Sequence, residues 1–442
     1  MTVRAIGVAP RGRALAATLG ALLAAATAAP RPAAAETLKD AWRMALHENG
    51  AVAASRNDRA AADAERSAAE RQRWPALDVG GGYTQLNQSP ILDIETPTGR
   101  FQSPKIWKHD GYVNAAADLS VPLWTSGRIR GAIAAARAGA RGAAAEQAMT
   151  TADVKLAVAE AYVGVLRARS ALAVADADLA SLQAHASDVR VMYDKQAVAK
   201  ADLLAAQVAL ANAAEARLRA ANALAIATAA YNRWVGEPLD RRPDLGEPPP
   251  AAASAQSMDA LVAQAIALRP EVAALEARRD SLEESARAER AQDLPQIALH
   301  AGYDHFDNQI LDRENFASVG VSFKWRLFDS GRIRERSAAL TSRAWAALRR
   351  LEDLRSKIAL EVRMSVLNRE NAAARLRAAG VTVAQADENL RVADELYRSG
   401  LGTNTQVLEA QALRATAMTN RDEAKYDLVI AGYRLERAIG DL

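Results

Sequence analysis

The chain repeats itself, and the repeat narrows the folds open to it. Leu38, Ala45, Val52 and Pro75 correspond to Met258, Ala265, Val272 and Pro295, each 220 positions later. The octapeptide Leu123-Trp124-Thr125-Ser126-Gly127-Arg128-Ile129-Arg130 returns as Leu327-Phe328-Asp329-Ser330-Gly331-Arg332-Ile333-Arg334, now 204 positions later. Tyr193 and Gln207 return as Tyr397 and Gln411 at that same offset. The offset falls from 220 to 204 between Pro75 and Leu123, so an internal loop is 16 residues longer in the first copy, where insertions cost least. The expected organisation is a signal peptide at 1–35, a first repeat at 36–236, a linker at 237–257 and a second repeat at 258–442.

Each repeat reads as helix, two strands and two more helices. In the first copy a helix runs from Leu38 to about Trp74, opened by a capping box between Thr37 and Asp40 and stopped by Pro75. A strand follows from Ala76 to Leu86, then a loop from Asn87 to Asp110, then a second strand from Gly111 to Trp124. A helical pattern continues from Gly127 to Lys195, roughly 100 Å at ~1.5 Å per residue. After a short interruption, a final helix spans Ala201–Gly236. The two shorter helices, stacked end to end, match the length of the long one. Near its far end a heptad appears in Leu172, Leu179, Ala186 and Tyr193, echoed by Leu376, Val383, Leu390 and Tyr397.

The strands alternate. Val113, Ala115, Ala117, Leu119, Val121 and Leu123 share one face, and Asn114, Asp118 and Ser120 the other. In the second copy Ala317, Val319, Val321, Phe323, Trp325 and Leu327 oppose Ser318, Gly320, Ser322, Lys324 and Arg326. This period fits a membrane-spanning strand and also a half-buried strand of a soluble sheet. Trp325 and Phe328 beside one strand end favour a membrane interface. Four strands cannot close a barrel in lipid, so strands that span must be shared among several chains.

Half of the chain is hydrophobic but only 5% is aromatic, and alanine makes up the difference. Alanine favours helices that approach closely and buries little apolar area per residue. Helices packed along their lengths suit it better than one thick core. Arg4, Arg11 and Arg13 precede the apolar stretch Ala14 to Ala29, and Ala33-Ala34-Ala35 supplies small residues for cleavage before Glu36. Residues 1–35 hold four arginines and no acid, which leaves a net charge of −1 from the +3 of the whole chain. The basic balance belongs to the leader and gives no reason to expect nucleic acid. There is no cysteine, hence no disulfide, thiolate metal site or lipid anchor on an N-terminal cysteine.

The remaining chemistry is sparse. Gly80-Gly81-Gly82 lies within a strand pattern and lacks the spacing of a phosphate loop. His300 and His305 are five apart on a strand and face opposite sides. Glu283-Glu284 reads as a solvated helix face. With no nucleophile–base pair, no metal-ligand cluster and no cofactor motif, the expectation is a protein that is not an enzyme.

Several motifs, in order, resemble the TolC-type outer-membrane efflux proteins. They are the junctions Arg73-Trp74-Pro75 and Asp293-Leu294-Pro295, and the strand exits Pro122-Leu123-Trp124-Thr125-Ser126-Gly127-Arg128 and Leu327-Phe328-Asp329-Ser330-Gly331-Arg332. The turn Tyr397-Arg398-Ser399-Gly400-Leu401-Gly402-Thr403, leading into Val407-Leu408-Glu409-Ala410-Gln411, completes the set. The resemblance covers essentially the whole chain after the leader. It implies a mainly α fold: a long coiled-coil-like α-helical barrel plus four β-strands per chain, with a 12-stranded membrane barrel in a homotrimer. The function implied is a passive exit duct in the outer membrane that extends into the periplasm. A periplasmic adaptor (membrane fusion) protein would couple it to an inner-membrane RND or ABC pump, for efflux or type I secretion, with outer-membrane lipid around its strands.

The resemblance also assigns residues. Adaptor-contact turns fall at Gln196, Ala197, Val198 and Ala199, and at Gly400, Leu401, Gly402 and Thr403. Gln196 stands where the family has glycine. The periplasmic gate falls on Asp202, Tyr397, Gln406 and Glu409. Asp202 and Tyr397 match one family tie between helix pairs; Gly402 replaces the arginine of another, which implies a gate that opens more easily. Only Glu409 is acidic of the two lumen-narrowing positions, so three chains would place three glutamates around the axis. Two rival readings remain: a periplasmic adaptor, which needs additional β-rich domains, and a soluble structural coiled coil, which leaves the alternating strands unexplained.

Overall fold

The structure is a computed structural model that describes residues 35–107, 109–249 and 256–442. Residues 1–34 of the candidate signal segment lie outside the described residues. Helices α1 (Leu38–Glu48) and α2 (Gly50–Arg71) lead into strand β1 (Ala76–Gln85). Strands β2 (Ile91–Thr96), β3 (Gly99–Lys105) and β4 (Gly111–Trp124) follow, then helices α3 (Arg128–Asp194) and α4 (Lys200–Val235). The second half runs α5 (Met258–Leu268), α6 (Pro270–Arg290), β5 (Gln296–Phe306), β6 (Asn315–Lys324), α7 (Arg332–Arg398) and α8 (Asn404–Ile439). Both long helices contain 67 residues.

Three segments differ from the sequence expectation. The first helix is two helices. Asn49 leaves helical geometry at ψ 124°, and its side chain accepts from the Ala51 amide at 2.9 Å to start α2. Arg269 and Pro270 make the same break in the second half, with Pro270 at the first helical position. The loop Asn87–Asp110 contains the hairpin β2–β3. Strand β6 stops at Lys324, so Trp325 and Leu327 lie beyond it.

The Thr37 capping box is present, with the Thr37 amide and the Asp40 amide each bonded to the other residue's side chain. The exits from β4 and β6 share a backbone solution. Ser126 and Gly127 have φ of 51° and 94°, and Ser330 and Gly331 have φ of 58° and 81°. Two consecutive left-handed residues turn each strand sharply into its long helix, and glycine at the second position lowers the cost. This explains why the octapeptide recurs.

Strands β1, β4, β5 and β6 form one antiparallel sheet in that order. Its register places Leu77 opposite Leu119, Ala301 opposite Val319 and Leu299 opposite Val321. One face is therefore apolar across all four strands, yet Leu77, Val79, Tyr83, Val319, Val321 and Phe323 are exposed. The other face carries Asp78 opposite Asp118, together with His300, Ser318 and Lys324. At the end of the sheet where the helices join, Trp74, Trp124, Trp325 and Phe328 are exposed, Phe328 at 85%.

The helices pack side by side. Next to the sheet α2 lies on α3, α3 on α6, and α6 on α7; at the far end α4 lies on α3, α3 on α8, and α8 on α7. Thus α6 and α8 flank both long helices, and α2 and α4 flank α3 on its other side. The main core lies where the shorter helices meet, around Tyr162, Tyr231, Val158 and Val235, all essentially inaccessible. The segment after α4 is pinned there: Tyr162 Oη donates toward the carbonyls of Glu36 and Gly246 at 2.7 and 2.6 Å.

A buried ionic cluster fixes the same level. Arg437 donates to Glu271 at 2.6 Å and Asp153 at 2.7 Å, while Arg269 donates to Glu271 and Glu361. Burial alone would raise the Glu271 carboxyl, but hydrogen bonds from Arg269 and Arg437 outweigh it and hold the pKa at about 2. Its stabilising contribution is therefore complete above the ordinary value of 4.5 and is lost as pH falls through about 2. Glu271→Ala leaves two guanidinium groups short of a partner. It is expected to cost about 3 kcal/mol and to flatten the acid limb of the stability curve between those values. Thermal melting of both proteins across that pH range measures it.

Candidate functional site: the helical tip

The α3–α4 and α7–α8 turns form the end of the helices farthest from the sheet. Both close in the same way. Ala197 N donates to Met192 O at 2.8 Å, and Leu401 N donates to Leu396 O at 2.9 Å. These bonds satisfy carbonyls left open at a helix end, and the residue before each donor is left-handed. That residue is Gly400 at φ 77° in the second turn and Gln196 at φ 58° in the first. Gln196 thus holds the glycine conformation at a cost of order 1–2 kcal/mol. Leu401 projects from the tip with 80% of its surface exposed. Gln196, Ala197, Ala199, Gly400 and Thr403 are exposed too, whereas Val198 and Gly402 are half-buried.

Asp202 and Tyr397, the expected tie, are not bonded to each other in the single chain. Asp202 accepts from the Ala199 amide at 3.3 Å and so caps α4. Tyr397 is 7% exposed, and its hydroxyl has no hydrogen-bond partner. Burial raises the Tyr397 pKa first, and the charges of Asp202 and Asp188 raise it further. Asp202 is therefore close enough to be felt, but the two side chains are not bonded in the single chain. Gln406 also serves a cap: its Oε1 accepts from Thr403 N at 2.9 Å, and Thr403 Oγ1 accepts from Gln406 N at 3.3 Å. Glu409, one turn further along α8, is exposed.

The bonds that do join the two turns run through Asn404, which is outside the candidate gate set. Asn404, 2% exposed, donates through Nδ2 to the Asp202 carbonyl at 3.1 Å. Its Oδ1 then faces His185 Nε2 at 2.8 Å, so that nitrogen is the donor. His185 is 5% exposed, and its ring lies 5.4 Å from the Tyr397 ring at 55°. One buried cluster thus connects α3, α4, α7 and α8. Val189, Leu203, Ala206 and Val407 pack around it. Outside it, Arg398 reaches Asp188 at 3.6 Å, an exposed pair worth little by itself. Among the described residues no group of three or more metal-ligating side chains occurs. Hydrogen bonds and packing hold two helical hairpins together at this end of the helices.

Comparison with known proteins agrees with this architecture. The family model described as outer membrane efflux protein matches residues 41–237 and 261–441. The alkaline protease secretion protein AprF of Pseudomonas aeruginosa is 26% identical over 301 residues, covering 66% of this chain and 62% of that protein. The match thus spans about three fifths of that relative's length. The outer membrane protein TolC of Vibrio cholerae is 24% identical over 311 residues, covering 69% of this chain and 71% of that one. The crystal structure of the outer membrane protein VceC, also from Vibrio cholerae, superposes with a TM-score of 0.77 at 17% identity, covering 91% of this chain and 96% of that one. A sheet left open at both edges, two 67-residue helices and a model match across both halves lead to one assignment: the chain belongs to the outer membrane efflux protein family.

Proposed function

We propose that three copies of this chain close into a trimeric channel-tunnel of the outer membrane. It serves as the passive exit duct of an inner-membrane pump, reached through a periplasmic adaptor. The observation that carries this reading is the four-stranded sheet, whose one face is mostly apolar, with the side chains of its outer strands exposed, and which is unpaired along β1 and β6. Lipid tolerates no such edges, and three sheets joined β6 to β1 make a 12-stranded barrel. The exposed tryptophans at the helix end of the sheet suit a membrane interface. No helix among the described residues is long and apolar enough to cross a membrane, so the strands are the spanning elements of this reading.

The helices close in the same sense. The outermost helices of the single-chain wall are α2 and α4 on one side and α7 on the other. Leu204, Val208 and Leu218 on α4 and Val381, Val392 and Leu396 on α7 are exposed at matching distances from the tip, at coiled-coil spacing. Packing α4 of one chain against α7 of the next removes both stripes from water. The duct has no catalytic task. Its tip carries the adaptor-contact turns at Gln196–Ala199 and Gly400–Thr403, and the gate lies where Glu409 and the capping residues Asp202 and Gln406 surround the axis.

Outer-membrane fractionation and heat-modifiable migration of a cross-linkable trimer test the assembly. Recovery of the mature protein only from the soluble periplasm would overturn it. Leu218→Glu is expected to weaken the trimer, by about 2 kcal/mol per seam for the buried leucine lost. Its cross-linked fraction should fall while the folded helix content stays. With no arginine at Gly402, the gate should show a higher resting single-channel conductance than a tightly tied channel. A persistently low closed-state conductance would argue against that.

A further inference from the structure

The longer loop of the first half ends in a structure the duct function does not use. Strands β2 and β3 form a separate hairpin with Ile94 opposite Phe101. Alternation places Leu92, Ile94 and Phe101 on one face, all exposed. The opposite face carries Asp93, paired with Arg100 and Gln102. A lone two-stranded hairpin is marginal in water, and one with an uncovered apolar face is more so.

The base of this hairpin is fixed, and its position can be read from the register. Val113 belongs to the apolar face of the sheet, so its neighbour Tyr112 belongs to the other face. Phe306 is paired with Asn114 and shares that second face. Trp107, just after β3, stacks on Tyr112 at 4.6 Å and 11° and meets Phe306 edge-on at 6.3 Å. The Ile106 carbonyl accepts from Gln309 N at 2.8 Å, which ties the hairpin base to the loop between β5 and β6. The chain therefore leaves β3 on the side of the sheet away from lipid, at the end opposite the helices.

We propose that the three β2–β3 hairpins of the trimer meet over the barrel mouth, apolar face to apolar face, and close the duct from outside. The partner of each hairpin is the same hairpin of the other two subunits. This rests on the trimeric reading above. An apolar constriction excludes ions and small hydrophilic solutes by dewetting, and yields when cargo pushes the hairpins apart from within. The barrel is then shut at the mouth by packing between chains and at the tip by hydrogen bonds within each chain.

The chain has no cysteine, so single cysteines report proximity without background. Phe101→Cys is expected to form a disulfide-linked dimer within the trimer on mild oxidation, since at most two of three thiols can pair. Glu95→Cys, on the opposite face, should not. Phe101→Asp, combined with Asn404→Leu so that the tip is no longer held shut, should raise the single-channel conductance of the purified trimer about twofold or more above that of Asn404→Leu alone, by wetting the constriction. A trimer that forms no Phe101→Cys dimer, or an Asn404→Leu trimer whose conductance Phe101→Asp leaves unchanged, overturns the closure alone. In that background Trp107→Ala, which frees the hairpin base without altering the apolar face, should give the same conductance rise. Absence of any trimer in the wild type would instead strike the proposed assembly.

Discussion

Val319→Arg should abolish assembly in the outer membrane. Val319 is the fifth residue of the ten in β6, is 79% exposed, and lies on the apolar face opposite Ala301. In the proposed barrel it meets lipid near the bilayer midplane. An arginine there costs about 2–4 kcal/mol in a membrane strand, and the trimer carries it three times. The total is comparable to the whole stability of an ordinary domain. Gly320→Arg is the matched control. Gly320 is the next residue, faces the polar side, and has no heavy atom within 4 Å of where its Cβ would stand. Its arginine would project into a water-filled interior. The expected result is loss of the heat-modifiable trimer and of outer-membrane recovery for Val319→Arg, with both retained for Gly320→Arg. Equal recovery of the two would show that this face does not meet lipid.

Much of this sheet was legible from the sequence because period two is a local signal. The bounds of β1, β4 and α3 fall within a residue or two of the expected ones, since Pro75, Gly111 and Ser126-Gly127 mark the chain at the right places. The break at Asn49 was also written there, as Asn49-Gly50 inside an otherwise helical run, but the periodicity of the alanines on both sides masks it. The β2–β3 hairpin escaped because Pro97 and the bulge between Ile91 and Asp93 interrupt its alternation.

The tip was harder to read for a different reason. Matching positions places a residue on a helix but does not choose its bond. Asp202 and Gln406 each sit three residues after a helix cap, at Ala199 and Thr403, where a local backbone amide competes for the side chain. That spacing was visible and argues for capping over a long-range tie. His185 and Asn404 are 219 residues apart, so no local pattern joins them. The available hint was a histidine beside the apolar residues Leu182, Ala186 and Val189 of the heptad seam, where a polar ring must find a partner.

That pair should decide how firmly the tip stays shut. If opening swings the α7–α8 turn away from the α3–α4 turn, it must break both bonds of Asn404, one to His185 and one to the Asp202 carbonyl. Each net hydrogen bond is worth about 1 kcal/mol. Losing two shifts a two-state equilibrium by about 30-fold per chain, at tenfold for each ~1.4 kcal/mol. Asn404→Leu keeps the volume in the packed cluster and removes both bonds. It should raise the open fraction of single channels sharply while the trimer persists. His185→Leu should produce part of that rise, and the double variant should fall short of the sum, because the two residues share one bond. Glu409→Gln offers the contrast. Glu409 is exposed on α8 and takes no part in the cluster, so its loss should lower the preference for cations with the open fraction unchanged. An open fraction in Asn404→Leu equal to that of the wild type would mean that the buried cluster only packs the tip and that the gate is held elsewhere.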